Sequence, residues 1–328
     1  MVSAVIFVAT SCVSPLTGFA FWETNLAYEG ESIYNYLQVK NLSDRTILST
    51  NVLFGVQSVT MKDKGLTGMY YDTALAAPAL ADNANSALIL GMGTGTYARQ
   101  LKQYYPKMNI TGVEIDQKIT DLAGEYFDEP ADIPVTTYDG RAWLAASHDK
   151  YDVIMVDAYQ DITIPFQMSS TEFFTMVREH LNPGGVMVVN MNMISDGQGS
   201  INEALSDTIA SVFGNGNTLT ADVPNTTNRE LFAKKPGSGS EENSMQQASK
   251  ALNLRETTYE RTGSEDLEWY MEEVASRFRK VNEPDSASTI LTDDKAPVEV
   301  LGMHAIDQII ADEAGPYRPV SYTHLTLP

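Results

Sequence analysis

The chain has 328 residues, 43% of them hydrophobic and 20% charged, with a formal net charge of −21. That composition is ordinary for a globular protein and is long enough for one large domain or two. So acidic a surface repels phosphate backbones, which argues against a nucleic-acid partner, and it would draw in a small cationic substrate.

Cys12 is the only cysteine, and His148, His180, His304 and His324 show no ligand spacing, so neither an internal disulfide framework nor a metal site is expected. Met1 to Trp22 carries no charge and includes Val5-Ile6-Phe7-Val8-Ala9. It reads as the tail of a truncated membrane segment (1–22), which would tether a cytoplasmic domain to the inner membrane. At the other end, 321–328 continues no pattern and reads as a non-native tail.

Between these ends the elements follow in order. Ile33 to Val59 reads as strands, including Thr46-Ile47-Leu48 and Val52-Leu53-Phe54, and predicts a small β-domain over 33–65. Residues 66–315 are expected to form the main domain, opening with a helix over Tyr70 to Leu80. Short apolar runs then alternate with helical segments. The runs are Ser86 to Leu90, Ile110 to Asp116, Val135 to Tyr138, Tyr151 to Asp157 and Val186 to Asn190. Alternation at this spacing predicts a largely parallel sheet covered by helices on both faces. Thr218 to Thr220 and Glu230 to Ala233 read as an antiparallel edge that closes it, and Leu267 to Lys280 as a further helix.

The chemistry collects at the carboxyl ends of the strands, where open α/β sheets bind ligands. Gly91-Met92-Gly93-Thr94-Gly95 joins a strand to a helix, and glycines there let the backbone turn sharply and approach a cofactor. Glu114, about 20 residues further on, is placed to accept hydrogen bonds from ribose hydroxyls. Asp116 is expected to face solvent. Asp139-Gly140 follows the third strand, where the acid could accept from an adenine amino group or form a plain turn. Asp157 emerges from a buried run and is the strongest candidate for catalysis or amine binding. These features also suit a dinucleotide-binding domain. Leu181-Asn182-Pro183-Gly184-Gly185-Val186, a helix end opening an apolar strand, points instead to S-adenosylmethionine or a close relative.

On these residues, and on Tyr34 to Val39, Gly55 to Val59, Asp157-Ala158-Tyr159, Ser169 to Phe174 and Leu291 to Glu299, the chain resembles the spermidine synthase (polyamine aminopropyltransferase) family. It is especially similar to bacterial membrane-fused members. The resemblance implies an α/β, Rossmann-like, S-adenosylmethionine-dependent methyltransferase fold behind a small N-terminal β-domain, and a homodimer. It also implies transfer of an aminopropyl group from decarboxylated S-adenosylmethionine to a polyamine acceptor such as putrescine, without a metal. By matched position Asp157 would be catalytic, and Gly91, Gly93, Thr94, Gly95, Glu114, Asp139 and Gly140 would hold the co-substrate. Gln57, Tyr71 and Tyr159 would line the amine site.

Three positions depart from the family pattern. Thr94 replaces the loop aspartate, Gln160 stands where a second acid belongs, with Asp161 one residue off, and Asn35 replaces a glutamine. Methyl transfer from intact S-adenosylmethionine and a non-catalytic cofactor-binding module of a membrane protein stay open beside the aminopropyl reading, with a dehydrogenase more distant.

Overall fold

The computed structural model describes residues 20, 23–51, 56–128, 130–158, 164–191, 199–237, 254–286 and 288–303. The expected membrane segment (Ala20 apart), the tail, Val52-Leu53-Phe54, Tyr159, Gln160 and Asp161 fall outside these residues. Among the described residues no helix is long and apolar enough to cross a membrane.

The N-terminal strands β1 (Leu26–Glu31), β2 (Tyr36–Asn41), β3 (Arg45–Thr50) and β4 (Ser58–Met61) form an antiparallel meander. β1 lies ahead of the predicted strands; it is a half-exposed edge whose alternation is too weak to register in the sequence. Leu37, Val39 and Leu48 of the meander bury themselves against Ile119, Leu122 and Phe127. The meander is therefore cemented to the larger domain by a shared apolar cluster.

The helix predicted over Tyr70 to Leu80 is instead two short ones, α1 (Tyr70–Ala74) and α2 (Ala76–Leu80). Pro78 has no N–H to give the Ala74 carbonyl four residues back, so the helix breaks near Leu75. The freed Ala74 carbonyl accepts the Tyr97 hydroxyl at 3.0 Å. This break turns α1 across the end of the sheet, where Tyr70 and Tyr71 meet the site.

The main sheet has eight strands. Its parallel half comprises β5 (Ser86–Leu90), β6 (Asn109–Glu114), β7 (Val135–Thr137), β8 (Tyr151–Val156) and β9 (Leu181–Met191). β10 (Thr218–Asp222), β11 (Arg229–Lys234) and the two-residue β12 (Arg279–Lys280) add the antiparallel edge. The spatial order is β12-β10-β11-β9-β8-β5-β6-β7. The sheet turns in both directions from β5, so the ends of β5 and β8 form a switch point of the kind where ligands bind. The covering helices are α3 (Thr96–Tyr104), α4 (Gln117–Tyr126), α5 (Gly140–Ala146), α6 (Thr171–His180), α7 (Ile201–Phe213), α8 (Leu254–Thr262) and α9 (Glu265–Ser276). The central strands β5 and β8 are buried on both faces, which is why they read as largely apolar runs, whereas the edge strand β7 is only half-buried.

Asp116 does not face solvent as expected. It is 2% exposed, caps α4 by accepting from the Lys118 amide, and also accepts from the Ser32 hydroxyl at 2.6 Å and Asn35 Nδ2 at 3.0 Å. The meander covers it, and no local pattern could disclose that contact. Asp116→Ala should cost about 2–4 kcal/mol, one helix cap plus two orphaned side-chain donors. Urea unfolding monitored by circular dichroism will measure the loss.

Candidate active site

The glycine loop is fixed by the strand beside it. Gly91 and Met92 both donate to the Val113 carbonyl, at 2.9 and 3.0 Å. Gly91, Gly93 and Gly95 all have positive φ, at 88°, 55° and 80°. The Gly93 amide donates to Glu114 Oε2 at 2.8 Å, and the Asp116 amide to Oε1 at 3.0 Å. The loop thus holds the side chain that is expected to meet the ribose. Burial pushes the Glu114 carboxyl above the usual range, and these two backbone amides pull it back.

Asp157 follows β8, and its amide donates to the Leu90 carbonyl at 2.9 Å. Its carboxylate is gripped from both sides. Tyr70 donates to Oδ2 at 2.6 Å and Asn190 Nδ2 to Oδ1 at 2.9 Å. Asn228 Nδ2 in turn donates to Asn190 Oδ1 at 2.8 Å. The residue is partly open on the cavity side, yet its carboxyl sits deep among protein atoms. Burial raises its pKa to about 6, against the lowering hydrogen bonds from Tyr70 and Asn190. A carboxylate poised there is ionised at neutral pH and still basic enough to take a proton.

A cavity of about 360 Å³ connects these groups. Gly91, Gly93, Glu114, Asp139, Gly140 and Asp157 reach it from the sheet, and Gln57 and Tyr71 from the meander and α1. Among the described residues the lining holds three carboxyl side chains and no Lys, Arg or His. Among the described residues no three His, Cys, Asp or Glu side chains are grouped to hold a metal ion.

The other expected site residues are placed differently. Thr94 and Gly95 shape the loop but do not line the cavity. Thr94 is fully buried, its amide turned to Ser58 Oγ at 3.3 Å and its carbonyl accepting from Arg99 at 2.6 Å. Gly95 is the left-handed cap of α3. Asp139 lines the cavity and also caps α5, accepting from the Ala142 amide at 2.7 Å. Asp139 thus opens a helix rather than a plain turn, with its side chain also on the cavity wall. The helix that Asp139 opens was not predicted. It sets Arg141 to clasp Asp293 with contacts of 2.7 and 2.6 Å and to hold the Gln167 carbonyl at the cavity roof.

Tyr70, Asn190 and Asn228 are site residues that sequence reasoning missed. Asn190 ends a buried apolar strand as Asp157 does, and that signal could have found it. Tyr70 stacks on Tyr71 with ring centroids 4.0 Å apart. Asn228 carries no sequence signal, because only the antiparallel register of β11 brings it to the site.

Residues 69–235, just over half the chain, match the family profile of the spermine/spermidine synthase domain. The chain belongs to the spermine/spermidine synthase family. A probable polyamine aminopropyl transferase of Bifidobacterium longum is 99% identical over 320 residues, which is 98% of this chain and 72% of that protein. Among solved structures, a probable spermidine synthase of Corynebacterium glutamicum superimposes with a TM-score of 0.57 at 21% identity. It covers 81% of this chain and 99% of its own. A spermidine synthase in complex with the transition-state analogue AdoDATO gives a TM-score of 0.52 at 19% identity, covering 65% and 73%. These two likenesses establish the Rossmann-like fold.

Tyr70→Phe tests the clamp on Asp157. A hydrogen bond to a charged group contributes about 1.5–3 kcal/mol, so its loss should raise the Asp157 pKa by on the order of one unit. The acidic limb of the kcat/KM profile then moves to higher pH, which a pH–rate series reads directly.

Proposed function

We propose that the chain transfers an aminopropyl group from decarboxylated S-adenosylmethionine to a polyamine acceptor such as putrescine, with Asp157 as the base. The observation that carries this reading is the cavity wall, with Glu114, Asp139 and Asp157 on it and no basic side chain among the described residues. Both substrates are cations, and a low-dielectric cleft lined by carboxyls favours them. The co-substrate fits the residues present. Glu114 is held at the ribose position by the glycine loop, and Asp139 keeps one carboxylate oxygen beyond its cap contact for the adenine amino group.

The acceptor amine is protonated in water and cannot attack. Asp157 takes its proton and holds the nitrogen in line with the carbon bonded to sulfur. The nitrogen lone pair forms the new C–N bond as the C–S bond breaks, and its electron pair leaves on sulfur as a neutral thioether. Tyr70 and Asn190 fix the carboxylate's orientation throughout. Tyr71, whose hydroxyl donates to the Gln57 carbonyl at 2.7 Å, walls the acceptor side.

The family and the 99% identical relative favour aminopropyl transfer over methyl transfer and over a non-catalytic module. Calorimetric titration of the full chain with decarboxylated and intact S-adenosylmethionine, followed by a putrescine assay, tests the proposal. Preferential binding of the decarboxylated form and a spermidine product are expected; binding of the intact form alone would overturn it. A homodimer on the cytoplasmic side completes the proposal, and light scattering tests the dimer.

A further inference from the structure

Glu230 is a buried acid near the site that the mechanism leaves unused and that, unlike Asp72 and Asp116, has no structural bonds among the described residues. It is fully buried on β11, and neither carboxyl oxygen has a hydrogen-bond partner among the described residues. The nearby Tyr97 hydroxyl is committed to the Ala74 carbonyl. Native structures rarely leave such a group without a reason.

Strand register shows what Glu230 faces. Glu230 pairs with Asn190 across β11 and β9, while Val156 pairs with Val189 across β8 and β9. Asp157, Asn190 and Glu230 therefore form one row across the sheet. Phe232, Val188 and Met155, each two residues from a member of the row, all point to the same core face. Side chains two apart on a strand share a face, so the three polar groups do too. Asn190 and Asn228 line the cavity and bond each other, and Glu230 lies next along the same strand face, outside the lining. Burial holds its carboxyl well above the usual range, with the negative charge of Asp157 adding to the effect.

Resting on the aminopropyltransferase reading, we propose that Glu230 is the second anionic group of the acceptor subsite and makes the cavity select amines that carry two ammonium groups. Strands lie about 4.8 Å apart, so two strand steps place Asp157 and Glu230 roughly 10 Å apart. The nitrogens of a four-carbon diamine are about 6 Å apart on ordinary bond lengths. With one nitrogen at Asp157, the other lodges against the Asn190–Asn228 amide pair, in front of Glu230. The arriving second ammonium offsets the cost of burial, so Glu230 gives its proton to solvent and ionises against it, and in that dry interior the pair is screened little.

The test compares putrescine with butylamine, which has the same four carbons and one amino group, in the full chain and in Glu230→Gln. The variant should raise the putrescine KM about tenfold or more with kcat within about threefold, and leave the butylamine KM within about twofold. Glu230→Met serves as a second variant, since an apolar side chain of similar length removes an unsatisfied buried group and should fold at least as well. It should show the same loss of preference. An unchanged putrescine-to-butylamine ratio in either folded variant overturns the inference while leaving aminopropyl transfer intact. Absence of transfer by the wild type sinks the function reading instead. In that case calorimetric binding of putrescine to wild type and variants, expected to weaken about tenfold in both variants, still decides the role of Glu230.

Discussion

Asp157→Asn should lower kcat/KM for putrescine by about 10³-fold, within the range typical for loss of a general base. The change is nearly isosteric, but an amide cannot take the amine's proton. It also carries one acceptor atom where the carboxylate has two. Tyr70 and Asn190 both donate to Asp157, so one of them loses its partner. Binding of decarboxylated S-adenosylmethionine should change little, because Glu114 and the glycine loop are untouched. Steady-state assays paired with calorimetry separate these effects, and unchanged turnover would remove Asp157 from the catalytic role.

The pH dependence follows from the same residue. Its pKa is raised to about 6, so kcat/KM should fall as pH drops through about 6 and the base is protonated. The stability effect runs the other way. A carboxyl with a higher pKa folded than unfolded binds more protons in the native state, so its contribution to stability declines as pH rises from about 4 to about 6. The ionised form at neutral pH therefore carries a folding cost, which Asp157→Asn removes and the orphaned donor offsets, so stability there should change by less than about 2 kcal/mol. Loss of turnover without loss of stability would mark a group retained for chemistry.

The sequence disclosed what depends on local pattern. Val153 to Val156 is apolar because helices bury it on both faces, so the strand and the position of Asp157 at its end were both readable. The glycine loop was readable because its positive φ angles need residues without Cβ atoms. Features that depend on what packs from elsewhere were hidden. Asp116 looked like a surface acid because Ser32 and Asn35, which bury and bond it, come from a separate sheet. The row of Asp157, Asn190 and Glu230 joins three strands, one of them antiparallel, and no linear spacing encodes their register. Pro78 was a local signal for the helix break that the apolar spacing of Leu75, Ala76 and Leu80 masked.

Gly91→Ala should destabilise the chain by about 3–5 kcal/mol and abolish detectable transfer, combining a strained φ with an overpacked contact. With φ at 88°, Gly91 is in a region that residues with a Cβ avoid. A Cβ built there would also lie 2.2 Å from the Asp157 carbonyl oxygen and 2.6 Å from its carbonyl carbon. Those are backbone atoms at the carboxyl end of β8, so relief has to move Asp157 itself. The Asp157 amide is tied to the Leu90 carbonyl at 2.9 Å, one residue before Gly91, and the strain cannot dissipate along the loop. Gly124→Ala is the matching control. Gly124 lies within α4, and a Cβ there would meet nothing within 4 Å. It should gain about 1 kcal/mol from helix propensity and leave kcat unchanged. Thermal and urea unfolding of the two variants, with the putrescine assay on each, distinguishes a general intolerance of Gly→Ala from the specific one at Gly91. Equal behaviour of both variants would show that the close approach of the glycine loop to Asp157 does not hold the site together.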